Sequence, residues 1–172
     1  MKKILLILTL SIFSFASNLP INSVVKIFST VSDQNYLEPW ENPKIYNLTG
    51  SGAIIKDNRI LTSAHVVSGA NFVEVQKEND SKKYDATVKY ISNDVDLAIL
   101  EVNDKTFFAD TKPLEISEDI KIKDSVTAIG YPVGGNTLST TNGIVSRIEY
   151  RNYVWNPWAQ YMTIQVDAAI NS

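Results

Sequence analysis

Gly50-Ser51-Gly52-Ala53-Ile54-Ile55-Lys56-Asp57-Asn58-Arg59-Ile60-Leu61-Thr62-Ser63-Ala64-His65 reads as two short strands, Gly52 to Ile55 and Arg59 to Thr62. They fold into a hairpin at Lys56-Asp57-Asn58, because Asp and Asn tolerate the left-handed backbone of a tight turn. The same pattern recurs outward from this hairpin. Val24 to Val31, Phe72 to Gln76, Ala86 to Ile91, Leu97 to Val102, Ser125 to Ile129, Leu138 to Ile148 and Met162 to Val166 are apolar, β-branched or alternating. Turn signals separate them at Asn79-Asp80-Ser81, Asn103-Asp104, Gly134-Gly135-Asn136 and Asn156-Pro157. Asp33 through Lys44, with Pro39, Trp40 and Pro43, reads as a long surface loop between the first strands. Short strands at this spacing, without long amphipathic helical patterns, predict an all-β barrel or sandwich.

Composition narrows the chemistry. The 172 residues carry 44% hydrophobic and 20% charged residues and a net charge of −3, values of a globular chain without a basic nucleic-acid surface. There is no cysteine, which removes thiol nucleophiles, disulfides and thiolate-held zinc, and only one histidine, His65. Gly130 to Gly135 lacks the Lys-Ser/Thr ending and following helix of a phosphate loop, and no stretch has the spacing of a Ca²⁺ or Mg²⁺ carboxylate loop. No cofactor or metal is expected. Chemistry therefore falls to oxygen nucleophiles, carboxylates and His65.

The first sixteen residues read as a secretory signal peptide. Met1-Lys2-Lys3 is basic, the run Ile4 to Phe15 is apolar apart from Thr9, Ser11 and Ser14, and Ser14-Phe15-Ala16 is a small-x-small cleavage pattern. That run is too short to span the roughly 30 Å hydrocarbon core of a bilayer, so no stable membrane insertion is expected after its removal. Losing Lys2 and Lys3 takes 16 basic residues to 14, against 19 acidic ones, a net of −5. The domain reading is 1–16 signal peptide, 17–105 first β-barrel, 106–123 connecting segment with Pro113, and 124–172 partial second β-barrel.

His65 follows a predicted strand among small residues, which leave an imidazole room to be approached. Its ordinary pKa near neutrality suits general-base work, although a lone histidine can equally be a packed or surface residue. Asp96 opens the apolar run Leu97-Ala98-Ile99-Leu100, a carboxylate at the edge of a core that needs a hydrogen-bonding partner. A base oriented by a buried carboxylate is two-thirds of a Ser-His-Asp arrangement. Asp94 is the weaker candidate for that acid, since it lies further from the apolar run. Trp155-Asn156-Pro157-Trp158 reads either as an aromatic contact loop for a substrate or subunit, or as packing onto the second half.

Six segments, in order, resemble the Deg/HtrA family of trypsin-like serine proteases: Gly50 to Ile55, Ile60 to Val67, Asp96 to Leu100, Gly130 to Gly135, Thr141 to Arg147, and Gln165 to Ser172. The double-glycine turn and the Ile170-Asn171-Ser172 ending resemble the plant-type branch most. The resemblance implies a chymotrypsin-like double antiparallel β-barrel, with His65 as general base and Asp96 as its orienting acid. It also implies polypeptide substrates and a homo-oligomer, trimers being common in the family. In relatives the Asp-Ala-Ala-Ile-Asn stretch is followed by one variable residue and then Gly-Asn-Ser-Gly-Gly, whose Ser is the nucleophile. Ser172 matches the variable residue. The nucleophilic Ser is thus absent from this chain, along with the oxyanion-hole amides, the specificity-pocket walls, the closing strands of the second barrel and the PDZ modules common in the family.

Two classes of function are open at this point. One is a serine endopeptidase domain acting on unfolded or misfolded exported proteins in the periplasm or outside the cell, of which this chain is an inactive fragment. The other is a non-catalytic binding module or truncated pseudo-protease. N-terminal sequencing of the exported protein is expected to begin at or near Ser17, and an intact Met1 in a soluble cytoplasmic fraction would overturn the signal-peptide reading.

Overall fold

The computed structural model describes residues 19–132, 135–153 and 156–170. The leader 1–16, Gly134 of the double-glycine turn, Trp155 and Ser172 lie outside the described residues. The first half consists of β1 (Val24–Asp33), β2 (Lys44–Ile55), β3 (Arg59–Thr62), a single helical turn α1 (Ala64–Val67), β4 (Ala70–Lys77), β5 (Tyr84–Ser92) and β6 (Leu97–Val102). These six strands close into an antiparallel barrel in the order β1-β2-β3-β6-β5-β4. Closure is completed by β1 pairing with β4, Ile27 opposite Val75, which leaves the barrel without an open edge.

One face of five strands fills the interior: Val25 and Ile27 from β1, Ile54 from β2, Ile60 from β3, Val75 from β4 and Leu100 from β6 are all fully buried, whereas β5 buries Ala86 alone. The hairpin between β2 and β3 turns at Asp57 and Asn58, whose φ of 63° and 55° place both in the left-handed region that Asp and Asn tolerate. Gly52 is required by packing, because a Cβ there would stand 2.7 Å from Ile60 Cγ2 and 2.9 Å from Ile27 Cδ1. Strand β1 is buried on its outer face as well, at Val24 and Lys26, because the second half of the chain lies over it.

Two elements extend beyond what the apolar pattern marks. Strand β2 begins at Lys44, inside the stretch read as a loop, and its residues Lys44–Leu48 are exposed. No alternation signals them; they are strand because their backbone pairs with Ser29–Asp33, Leu48 opposite Ser29 and Lys44 opposite Asp33. After β6, Asp104 caps a short 3-10 turn, Lys105–Phe108, by accepting from Thr106 N–H. That turn inserts Phe107 and Phe108 into the barrel core, Phe107 meeting Tyr84 edge-on at 4.9 Å between ring centroids. The stretch read as connecting two halves thus starts by plugging the first.

The second half is an open antiparallel sheet of β7 (Ser125–Gly130), β8 (Ser139–Asn152) and β9 (Gln160–Val166), in the order β7-β8-β9. After β9 the chain folds back along β8: Asp167 Oδ1 accepts from Ile144 N–H at 2.6 Å, and Thr141 Oγ1 donates to Ala169 O at 2.7 Å. This crossing passes so close to Gly143 that a Cβ there would collide with the Ala168 backbone. The architecture is all-β, a closed barrel followed by an incomplete second one.

The core position of Phe107 gives a direct test. Phe107→Ala is expected to destabilise the barrel by about 3–5 kcal/mol in chemical denaturation. Trp40→Ala, in the exposed loop between β1 and β2, should change stability by no more than about 0.5 kcal/mol. Equal effects from both would remove Phe107 from the core.

Candidate active site

Antiparallel pairing of β3 with β6 sets Thr62 opposite Ala98. The end of β3 therefore lies beside the start of β6, and residues that are 31 apart in the chain, His65 and Asp96, come together at one end of the barrel. His65 sits in α1, whose turn is closed by Val66 N–H on Ser63 O at 3.2 Å and Ser68 N–H on Ala64 O at 2.8 Å. Ala64, Val66 and Val67 are buried by the same turn, which leaves His65 on its outward side. Asp96 ends the tight turn between β5 and β6 with φ 52°, a left-handed conformation that aspartate adopts more readily than most residues.

The carboxylate of Asp96 is 3% exposed, whereas the His65 side chain is 41% exposed. Among the described residues, three donors converge on the acid. His65 N–H donates to Oδ1 at 2.8 Å, His65 Nδ1 lies 2.7 Å from Oδ2, and the Tyr153 hydroxyl donates to Oδ2 at 2.7 Å. A buried unpaired carboxylate is costly by several kcal/mol, and hydrogen bonds to a charged group each contribute about 1.5–3 kcal/mol. Burial alone would push the Asp96 carboxyl above its ordinary value. The bonds from Tyr153, the His65 backbone and the His65 ring outweigh burial and hold it below. Burial and the adjoining Asp96 charge push the Tyr153 phenol up to about 12, so it remains a donor at neutral pH.

An ionised carboxylate facing Nδ1 assigns the proton of the neutral ring to that nitrogen and its basic lone pair to Nε2. Such a ring can take a proton from a hydroxyl, and the resulting imidazolium is stabilised by the carboxylate beside it. His65, Ser68, Asn93 and Asp96 line an open recess of about 290 Å³. A second recess, of about 270 Å³, lies where the barrel meets the second sheet, between Ser51, Tyr131 and Ile170.

Of the residues singled out from the sequence, the fold joins His65 to Asp96 and leaves Asp94 apart from them. The Asp94 carboxylate is on the exposed turn, and its backbone carbonyl accepts from Tyr161 Oη at 3.0 Å. Trp158 is 95% exposed, which leaves it unpacked against the second sheet. Tyr153 and Tyr161 escaped the sequence reading. Their rings meet edge-on with centroids 6.1 Å apart, and both hydroxyls reach the turn that carries Asp96. Neither stands in a pattern of chemistry-bearing residues, so no local signal marked them.

A closed antiparallel barrel that delivers a carboxylate-oriented histidine to its rim, joined to a second sheet, defines a trypsin-like peptidase domain. Residues 50–172 match the family profile described as Trypsin-like peptidase domain, and the chain belongs to that family, within its Deg/HtrA group. Protease Do-like 4, mitochondrial, of Arabidopsis thaliana is 41% identical over 161 residues, covering 94% of this chain and 31% of its own length. The serine protease DegP homolog of Plasmodium falciparum is 39% identical over 148 residues, 86% of this chain and 17% of its own. The chain thus spans about a third or less of the length of these relatives. Among solved structures, the active form of the Rv3671c protease from M. tuberculosis superposes with a TM-score of 0.70 at 27% identity, covering 88% of this chain and 62% of that one. The HtrA-type protease AlgW with a decapeptide gives 0.66 at 25% identity, over 88% of this chain and 50% of that one. The chymotrypsin-like fold implied by the sequence is the fold observed.

Because the Asp96 carboxyl is held below its ordinary value, it stabilises the fold fully above the unfolded-state pKa, near 3.9, and loses that contribution as pH falls through its folded value. Asp104, held at about 2 by bonds from Thr106 and Lys82, acts with the same sign. Acidification from about pH 5 to pH 3 is therefore expected to lower the unfolding midpoint less in Asp96→Asn than in the unaltered protein. Thermal melts across that range, with Asp104→Asn as a second variant, would check it.

Proposed function

We propose that this chain is part of a serine endopeptidase that is exported and cleaves unfolded or misfolded polypeptides outside the cytoplasm. The carrying observation is the 2.7 Å pair of His65 Nδ1 and Asp96 Oδ2, with the carboxylate buried and the ring open to solvent. His65 is the general base and Asp96 the acid that holds its tautomer. The base removes the proton of a serine hydroxyl as its oxygen attacks the peptide carbonyl, and returns a proton to the leaving amine. The acyl-enzyme is then hydrolysed by water activated on the same ring.

The nucleophile of this reading is the serine of Gly-Asn-Ser-Gly-Gly, a stretch that does not occur in the 172 residues. Ser172 takes the place of the variable residue that precedes it in the family. On this reading the polypeptide of 172 residues has no protease activity. Loss of a triad nucleophile costs roughly 10⁶-fold in turnover in subtilisin, and loss of one oxyanion donor costs about 10²–10³-fold. The active form is an oligomer, a trimer by resemblance to the family. No cofactor is required.

The test compares cleavage of unfolded casein by two polypeptides, this chain and one continued through the Gly-Asn-Ser-Gly-Gly segment and its closing strands. Activity is expected only in the longer one and is expected to disappear with His65→Ala. Activity in the short chain that is abolished by His65→Ala would place the nucleophile elsewhere, at Ser172 first. An inactive longer chain that folds and binds unfolded protein would favour a binding module instead.

A further inference from the structure

We propose that Tyr153 is a positioning residue, whose hydroxyl, carried in from the second sheet, holds and tempers the carboxylate that orients His65. The proposal rests on the roles given above to His65 and Asp96 and adds a third member, supplied from outside the barrel that carries them. The geometry is specific. Tyr153 directly follows β8, and its hydroxyl is 2.7 Å from Asp96 Oδ2, the same oxygen that lies 2.7 Å from His65 Nδ1. Oδ1 meanwhile accepts His65 N–H at 2.8 Å. With both oxygens engaged, the carboxylate cannot rotate without breaking a charge-assisted hydrogen bond.

The second sheet makes a further contact beside this one. Tyr161 of β9 stacks edge-on against Tyr153 and donates to the Asp94 carbonyl, so the turn holding Asp96 is gripped at two points. Among the described residues, the groups near Asp96 and His65 include Tyr153 from the end of β8, Tyr161 from β9 through the Asp94 carbonyl, Ser68 beyond α1, and Asn93 and Asp94 on the turn itself. Of these, only Tyr153 shares a carboxylate oxygen with the imidazole. A donor on Oδ2 draws off part of its charge, weakens its pull on the imidazolium, and leaves the ring a weaker base than a carboxylate without that donor would make it. The chain thus has a device that ties the strength of the base to correct docking of the second sheet on the first barrel.

His65 is the only histidine, so its imidazole signals are resolved without assignment from other rings. Titration of those signals by proton NMR is the experiment, in the unaltered protein, Tyr153→Phe and Tyr161→Phe. Tyr153→Phe is expected to raise the proton affinity of His65 about threefold, half a pH unit in its midpoint. Tyr161→Phe, which removes a neighbouring hydroxyl that donates to the Asp94 carbonyl and not to the Asp96 carboxylate, should leave that midpoint in place. An unmoved midpoint in folded Tyr153→Phe, or the same rise in both variants, would overturn the proposal. If Tyr153→Phe does not fold, the ring carbons of Tyr153 in the unaltered protein decide. They are expected to keep the protonated shift at about pH 11, a unit above the ordinary tyrosine value, and ionisation near pH 10 would overturn the proposal. These readouts do not depend on peptide cleavage, so an inactive protein with a Tyr153-dependent imidazole would count against the protease reading alone.

Discussion

A buried carboxylate needs donors, and the arrangement around Asp96 follows from how that need is met. Among the described residues, three hydrogen bonds reach its two oxygens: two from His65 and one from Tyr153. The donors come from α1 and from the end of β8, pieces of chain that have no local reason to meet. Had Asp96 faced solvent, water would have satisfied it and the imbalance between a buried acid and an exposed ring would vanish. That imbalance makes the pair useful: the acid remains ionised and fixed while the ring stays accessible.

The barrel brings the donors to the acid by register. Thr62 opposite Ala98 leaves no freedom in where α1 and the Asp96 turn lie, because a slip of one residue in β3 or β6 would turn Ile60 and Leu100 out of the core. Hydrophobic packing inside the barrel therefore sets a polar geometry at its rim. The left-handed backbone at Asp96 is part of the same constraint, since it aims the carboxylate back at α1 as the chain enters β6.

The second sheet is joined to the barrel by polar links as well as by covering β1. Tyr131 N–H donates to Ser51 Oγ at 2.8 Å, and Tyr131 Oη donates to Glu78 at 2.8 Å. The buried Lys26 ammonium donates to Gly135 O at 2.7 Å and to Asn136 Oδ1 at 3.1 Å. With Tyr153 on Asp96, these bonds span the seam between the two halves. Each half contributes to the site, so the seam belongs to the candidate machinery as much as the His65–Asp96 pair does.

The all-β class, the hairpin turned at Asp57-Asn58 and the candidacy of His65 and Asp96 were legible in the sequence. Apolar alternation, turn chemistry and a carboxylate at the mouth of a hydrophobic run are local signals, written in neighbouring residues. The outer part of β2, the insertion of Phe107 and Phe108 and the grip of Tyr153 and Tyr161 were not legible. Exposed Lys44–Leu48 are strand only because β1 runs beside them, and Phe107 is core only because the barrel is open at that end to receive it. Tyr153 is an unremarkable tyrosine until β8 delivers it to Asp96, 57 residues away in the chain. Residue type and spacing determined which groups could do chemistry; the closure of the barrel and the docking of the second sheet decided which of them meet, because a hydrogen bond between distant residues depends on positions that only the packed chain defines.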